Sequence, residues 1–490
     1  SYDGFMNNLD HPWLGQAGHP YSITWPSKRP LDVARLPDPE QVVRELFSRD
    51  RFRPAPNGQN TMVPLLATIV THEFFKTDAG RGRSGDVDRH WINANSSYLD
   101  LSLLYGNSKA RCDQIRSFSG GKLLPDQLGD GRIARLPSCR AIMILFNREH
   151  NAICDQLAAR YPERFASDEQ LFQQARLINN RLFVTAFTNE YLGGLLTNHA
   201  TYEQQVFTLD DARPFSRCRG AHMSIEFNLL YRWHFLLPDS YNPAVLVIDP
   251  ETTASDVELD LLYGLLEPGG AFGPRNCLPW LLPAETAALR WSRRMGICSF
   301  NEMRENYGLA PFRSFAEFSS VPGVAATLER LYANVDEVEL WVGCMCEDSL
   351  QDAKGRCAGY GLPKTVAKCI LMDALNAVFY DRYTTLDCTE SALTPWGYAY
   401  ASRASLRGLI AAHTRLELPP GYDILRVPEP ADREALERQR EAMHADGRRS
   451  AHQCELALAT LAKIDLDHNR VVNYDEGYQF LDRLRVLMSK

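Results

Sequence analysis

The chain has 490 residues, of which 45% are hydrophobic, 10% aromatic and 23% charged, a composition that excludes a disordered or fibrous protein. A net charge of −8, with the 53 Lys and Arg scattered along the chain, excludes a nucleic-acid partner, which needs a clustered basic face. No apolar run approaches the ~20 residues of a membrane span, and a chain of this length buries roughly three quarters of its surface, enough to enclose a large cofactor without disulfides.

Residues 1 to 60, with "HPWLGQAGHPYSITWPSKRP", are rich in Pro, Gly and Asn and read as an extended N-terminal arm. The chain opens on Ser1 rather than methionine, as a processed N-terminus would. From residue 61 the pattern turns helical. Segments 61 to 78, 138 to 160, 169 to 193, 221 to 236, 284 to 296, 324 to 333 and 362 to 377 carry apolar residues at three-to-four spacing. Few stretches alternate with period two, so the fold is expected to be mainly α with very little strand. Near residue 420 prolines give way to a heavily charged helix, and a boundary is expected there. The twelve cysteines have irregular spacings and no CxxC pair, and read as reduced core thiols. In "WVGCMCED", Cys344 and Cys346 alternate, as two side chains on one face would.

One run holds chemistry that a core does not need. "LLYRWHFLLP", residues 229 to 238, places Tyr231 and His234 three positions apart. On a helix such residues lie on neighbouring parts of one face, the relation of an imidazole metal ligand to a phenol at the metal's edge. A buried Tyr and His, each satisfied by a hydrogen bond, give the same pattern. A second histidine, His72, sits in the apolar run "LATIVTHEFFKTD". Haem that handles peroxides needs a proximal nitrogen ligand and a second imidazole on its open side, and two helical histidines far apart in sequence meet that need.

"EFNLLYRWHFLLPDS" and "LATIVTHEFF" resemble the proximal and distal helices of the cyclooxygenases. The chain is more similar still to the dioxygenase domain of fungal linoleate diol synthases and psi-factor-producing oxygenases. That likeness takes in "NNLDHPWLGQAGHPY", "NSSYLDLSLLYGNSKARCDQIRSFSGGKLLPD", "ILFNREHNAICDQL", "FNEMRENYGLAPFRSF", "LYANVDEVELW" and "ALTPWGY", in family order from about residue 7 to 400. The resemblance implies His234 as proximal haem ligand, His72 as distal histidine and Tyr231 as the residue that forms a tyrosyl radical. It implies that Asn301 hydrogen-bonds the proximal imidazole and fixes its tautomer. The cofactor that the resemblance implies is haem b, and no CxxCH is present for covalent attachment.

The implied chemistry is radical dioxygenation. A peroxide activator oxidises the haem, Tyr231 is oxidised in turn, and its phenoxyl removes hydrogen from a bis-allylic carbon of an unsaturated fatty acid such as linoleate. Oxygen adds, and a hydroperoxide results. The carboxylate anchor is expected to be an arginine, Arg232 being either that or a propionate partner. Trp233 and the "FLLP" run are expected to wall the site, with Trp396 and Tyr398 as candidate channel residues. Where cyclooxygenases carry a glutamine four residues before the distal histidine, this chain has Thr68, which argues against efficient peroxidase turnover. The alternative reading is a haem peroxidase or oxidase acting on a non-lipid small molecule. A lipid-binding or calcium-responsive protein without catalysis is a further rival, which the intact Tyr231, His72 and His234 count against.

Two calcium sites are candidates. The superfamily pattern implies Glu73, Ser96, the Tyr98 carbonyl, Asp100 and Ser102 as hard oxygen donors, although the family residue at Glu73 is usually aspartate. In "DLDHNRVVNYDE", Asp465, Asp467, Asn469, Val471 and Glu476 fall at positions one, three, five, seven and twelve of an EF-hand, with Val472 at the aliphatic eighth. Arg470 stands where that turn wants glycine, so a metal-free helix-loop-helix is an equal reading. "FGPRNCLPW" imitates a haem-thiolate loop around Cys277. Gly270 and Pro279 break that signature, and a thiolate ligand is rejected. The separate P450 domain of the diol synthases is not represented, so isomerisation to a diol is not expected.

The expected organisation is an arm at 1 to 60, a haem peroxidase-like domain at 61 to 420 enclosing haem between two helices, and a helical segment at 421 to 490. Unsaturated fatty acid, O₂ and peroxide are the expected partners. The location expected is cytoplasmic or peripheral to a membrane.

Overall fold

The computed structural model describes residues 1–77, 92–133, 136–196, 222–241, 254–351 and 355–445. Among them the only sheet is a pair of two-residue strands, His19–Pro20 and Ile92–Asn93, antiparallel, with His19 opposite Asn93. Everything else of regular structure is helical, as the period-3.6 pattern requires.

The centre of the fold is the helix Met62–Phe74, whose Val63, Leu65, Leu66 and Ile69 are each 1% exposed or less. A helix apolar on every side has to be surrounded. The longest helix, Pro137–Arg160, packs against it and also along Asp168–Ala186 and Ala254–Leu266. Asp168–Ala186 starts with a reciprocal capping box between Ser167 and Gln170. It runs directly into a π-helical turn at Phe187–Leu192. Such turns insert an extra residue per turn and re-aim the side chains that follow, here Tyr191.

The expected arm is not extended throughout. Pro39–Phe47 is a helix, started by Pro39 and by the Asp38 carboxylate accepting from Gln41 N at 2.9 Å, and its Val42, Val43, Leu46 and Phe47 are buried. Proline at the first helical position pre-sets the turn, so the Pro-rich composition marked a helix start here. The rest of the arm is held to the site. Thr24 and Trp25 N–H both donate to Glu226, and Ser22 N–H donates to the Met223 carbonyl.

The expected break near residue 420 is a change in composition that the packing does not follow. The Asn60 side chain donates to the carbonyls of Ile424 and Arg426, and the Tyr422 hydroxyl to that of Leu265. The charged helix Pro430–Ala445 lies on Ala254–Leu266. The EF-hand-like residues 465 to 476 lie outside the described residues.

The expected helix at 221 to 236 is a shorter one, Ile225–Leu230, capped by Ser224. Tyr231 leaves helical geometry at φ −89°, ψ 33°, and His234–Leu236 forms a separate 3₁₀ turn. The break has a local cause. The Asn228 carbonyl accepts from Arg232 Nε, the Leu230 carbonyl from Trp233 Nε1, and the Tyr231 carbonyl from the Thr71 hydroxyl. Side chains therefore occupy the acceptors that further helix would need, and Pro238 offers no N–H to extend it.

Candidate active site

A cavity of about 250 Å³ lies between the Met62–Phe74 helix and the segment 228 to 237. His72, Tyr231 and His234 all line it, together with Thr68, Arg132 and Arg232. The three residues singled out from the sequence thus share one wall, although not through the continuous helix expected for Tyr231 and His234.

The His72 Nδ1–H donates to the Thr68 carbonyl one turn back, at 2.8 Å, which leaves Nε2 as the bare acceptor. Burial, reinforced by the Arg132 guanidinium, pushes its pKa down to about 4, so the ring is neutral at ordinary pH. Arg132 itself donates to the His72 carbonyl at 2.9 Å and is braced by Asp130 at 2.8 Å. Thr68 lines the cavity, but its hydroxyl is spent on the Pro64 carbonyl at 2.8 Å.

His234 is held from behind. Its Nδ1 lies 2.5 Å from Oε1 of Glu285, the fourth residue of the helix Leu282–Met295. The expected partner, Asn301, is elsewhere: its amide donates to Asp336 at 2.7 Å and to the Phe312 carbonyl at 2.9 Å, and its oxygen accepts from Phe312 N–H at 2.8 Å. Both ends of that side chain are engaged in bracing the loop after Phe300–Asn306, so none is left for the imidazole. The hydrogen bond to the His234 ring that was expected of Asn301 is made by Glu285 instead.

Tyr231 is 3% exposed, and its hydroxyl shares a 2.7 Å hydrogen bond with that of Tyr191. Burial raises the phenol's pKa, so it keeps its proton. Trp233 packs on Tyr231 with ring centroids 4.5 Å apart, and Tyr360 stacks on Tyr191 at 5.6 Å while donating to its carbonyl. Arg232 is tied to Asn228 through Nη2 at 2.9 Å. Nothing in the sequence marked Tyr191 or Glu285. The π-helical turn Phe187–Leu192 that delivers Tyr191 has no sequence period of its own.

A second cavity, of about 450 Å³, opens between Asp168–Ala186, Pro395–Ala401 and Leu406–His413, with Leu182, Trp396, Ala404 and Leu409 among its walls and Arg403 at its edge. Trp396 lines it, and Tyr398 is not among the lining residues.

The oxygen cluster foreseen around Glu73 assembles. Glu73 accepts from the N–H groups of Ser102 and Leu103, and Asp100 from Ser102 N–H and from the Ser96 hydroxyl at 2.6 Å. Burial, before all other causes, raises both carboxyls, and the Asp100 charge raises Glu73 further. The buried Ser102 hydroxyl has no partner. The Tyr98 hydroxyl donates to the Leu14 carbonyl at 2.6 Å, and no hydrogen bond joins Tyr98 to the Glu73 and Asp100 carboxyls.

Cys277 is fully buried and burial drives its thiol well above the usual range, the opposite of a thiolate ligand. The ten described cysteines are all free. Cys344 and Cys346 lie on the helix Leu340–Cys346, where a separation of two points them to different sides rather than to one face.

The chain is 31% identical to "Linoleate 10R-lipoxygenase" of Aspergillus fumigatus over 81% of its own length and 41% of that relative. It is 31% identical to "Linoleate diol synthase" of Gaeumannomyces graminis over 82% of this chain and 39% of the relative. It thus spans about two fifths of the length of the curated relatives it matches. Among solved structures, the fatty acid alpha-dioxygenase of Oryza sativa superposes with a TM-score of 0.70 at 17% identity, covering 87% of both chains. Peroxidase A of Dictyostelium discoideum does so at 0.69 and 18%, covering 87% of this chain and 99% of its own. At those identities the likeness shows the fold. Residues 83–128, 126–258 and 286–419 match the animal haem peroxidase family, and the chain belongs to it.

Proposed function

We propose that this chain is a haem-dependent dioxygenase that turns an unsaturated fatty acid of the linoleate type into a hydroperoxide. The observation that carries the reading is the shared wall: a phenol and two imidazoles, each with its Nδ1 engaged behind it, face one cavity. The donor set fits haem. His234 has Nε2 free to ligate iron, His72 has Nε2 free on the same cavity, and Arg232 and Arg132 offer cations for two propionates. Bound there, haem supplies the peroxide-driven one-electron oxidation that converts Tyr231 to its phenoxyl.

The chain's own residues do the rest. His72 stays neutral down to about pH 4, so Nε2 accepts a proton from a peroxide and returns it to the leaving oxygen. The Tyr231 oxygen takes a hydrogen atom from the bis-allylic carbon, and the delocalised carbon radical adds O₂. The peroxyl radical recovers the hydrogen from the Tyr231 hydroxyl, so the phenoxyl is regenerated. Burial keeps Tyr231 from losing its proton before it is oxidised. Calcium fits the Glu73 cluster, where the unpartnered Ser102 hydroxyl and two buried carboxyls supply oxygen donors.

Oxygen uptake with linoleate by the haem-loaded protein, run beside Tyr231→Phe, tests the reading. The expected result is uptake by the parent and none by the variant, with the haem band the same in both. A parent that binds haem and peroxide yet consumes no oxygen with linoleate refutes the fatty-acid assignment.

A further inference from the structure

We propose that Glu285 is the positioning residue of the His234 imidazole and makes it an electron-rich, partly anionic ligand. The proposal deepens the reading of the cavity as a haem site and rests on it. Oε1 stands 2.5 Å from His234 Nδ1, and the side chain is 0% exposed. The other oxygen, Oε2, is buried without a hydrogen-bond partner. Among the described residues, then, the imidazole N–H is the one hydrogen-bond donor on which this carboxylate's charge is spent. The cation in its field, Arg232, is tied to Asn228 instead.

The chemistry follows from what a carboxylate does that an amide does not. Either acceptor fixes the proton on Nδ1 and so directs Nε2 to the cavity. Only the carboxylate pulls that proton toward itself and leaves negative charge on the ring. The Glu285 side chain is fully buried, and the low local dielectric strengthens that pull. An anionic ligand stabilises ferric over ferrous iron, which holds a peroxide-using site in the oxidation state that peroxide attacks. Glu285 is placed for this by the first turn of Leu282–Met295, where the helix N-terminus favours a negative charge. The amide of Asn301, expected from the sequence to make this contact, instead donates to Asp336, and its oxygen accepts from Phe312 N–H.

The test compares haem-loaded parent, Glu285→Gln and Glu285→Asp by ferric/ferrous midpoint potential and by the iron–imidazole stretching band of the ferrous protein. Gln retains an oxygen acceptor and loses only the charge. The expected result is a midpoint raised by at least 59 mV in Glu285→Gln, a tenfold shift toward ferrous iron, with a lowered stretching frequency and Asp between Gln and parent. Haem-bound Glu285→Gln with the parent's midpoint and band overturns the proposal. Should that variant not hold haem, His234→Gly supplied with free ligand decides. At least tenfold preference for imidazole over 1-methylimidazole, which has no N–H to share, supports the role of Glu285, and equal binding overturns it. A parent that takes up no haem overturns the site reading and this assignment together, whereas bound haem with an unchanged potential overturns Glu285 alone.

Discussion

At the residue scale, a phenol and two imidazoles line one cavity, and each is tied to a second group: Tyr231 to Tyr191, His72 to the Thr68 carbonyl and His234 to Glu285. Tyr231, His72 and His234 stood out because a phenol or imidazole in an apolar run has to be satisfied or used. Glu285 lies 51 positions from His234 and opens an ordinary amphipathic helix, so only the packing of that helix brings it to the imidazole. Asn301 shows the converse: its motif was right and its hydrogen bonds go elsewhere. Tyr191→Phe removes the 2.7 Å bond to Tyr231 and leaves a buried hydroxyl unpaired. It is expected to lower unfolding free energy by about 1 kcal/mol in denaturant melts, and to slow oxygen uptake without abolishing it as Tyr231→Phe does. Uptake equal to the parent's would show that Tyr191 does not orient the reacting phenol.

At the element scale, the decisive feature is the short helix Ile225–Leu230 and its abrupt end. Periodicity carried the expected helix on to residue 236, because Leu229, Leu230, Phe235 and Leu236 are all buried and keep the spacing. What periodicity cannot register is competition for carbonyls by Arg232, Trp233 and Thr71. Ser224 starts this helix by accepting from Phe227 N–H, and its hydroxyl donates to Asp373. Ser224→Ala is expected to cost about 1 kcal/mol by chemical denaturation, and to weaken haem retention by loosening the segment that carries Tyr231 and His234. Unchanged haem retention would show that the segment is held from elsewhere, the arm at Glu226 being the other tether.

Asp373 adds a pH dependence. Burial, opposed by the Ser224 hydrogen bond and aided by Glu226, raises its carboxyl to about 7 from 3.8. The folded state therefore holds a proton that the unfolded chain releases. The stability this group contributes is whole below about pH 4 and is lost as pH rises through 7. Asp373→Asn is expected to remove that loss, so the variant gains about 4 kcal/mol on the parent between pH 4 and 8. Parallel stability curves for the two proteins would refute the assignment.

At the scale of the whole molecule, segments from both ends of the described chain close on one core. The arm supplies a helix and the clamps on Glu226, and residues 422 to 426 clasp Asn60 at the start of the His72 helix. No helix among the described residues is long and apolar enough to cross a membrane. The Glu73 cluster ties the far end of the His72 helix to the loop at 96 to 103. Millimolar calcium is therefore expected to raise the melting temperature and a chelator to lower it, with Asp100→Ala melting lower and losing the response. No calcium-dependent shift in the parent would show that the cluster is satisfied by its own hydrogen bonds.

Apolar period and local motifs were enough to give the helical class, the core helix around His72 and three of the groups that line the cavity, Tyr231, His72 and His234. Each of these is a local property: apolar period, the chemistry of one side chain, or a motif in contiguous residues. Packing was needed to show which acceptor stands behind His234, that Tyr191 meets Tyr231, and that the helix before Tyr231 stops at Leu230. Those depend on contacts across tens to hundreds of positions, and no local pattern encodes which buried donor meets which buried acceptor until the helices pack.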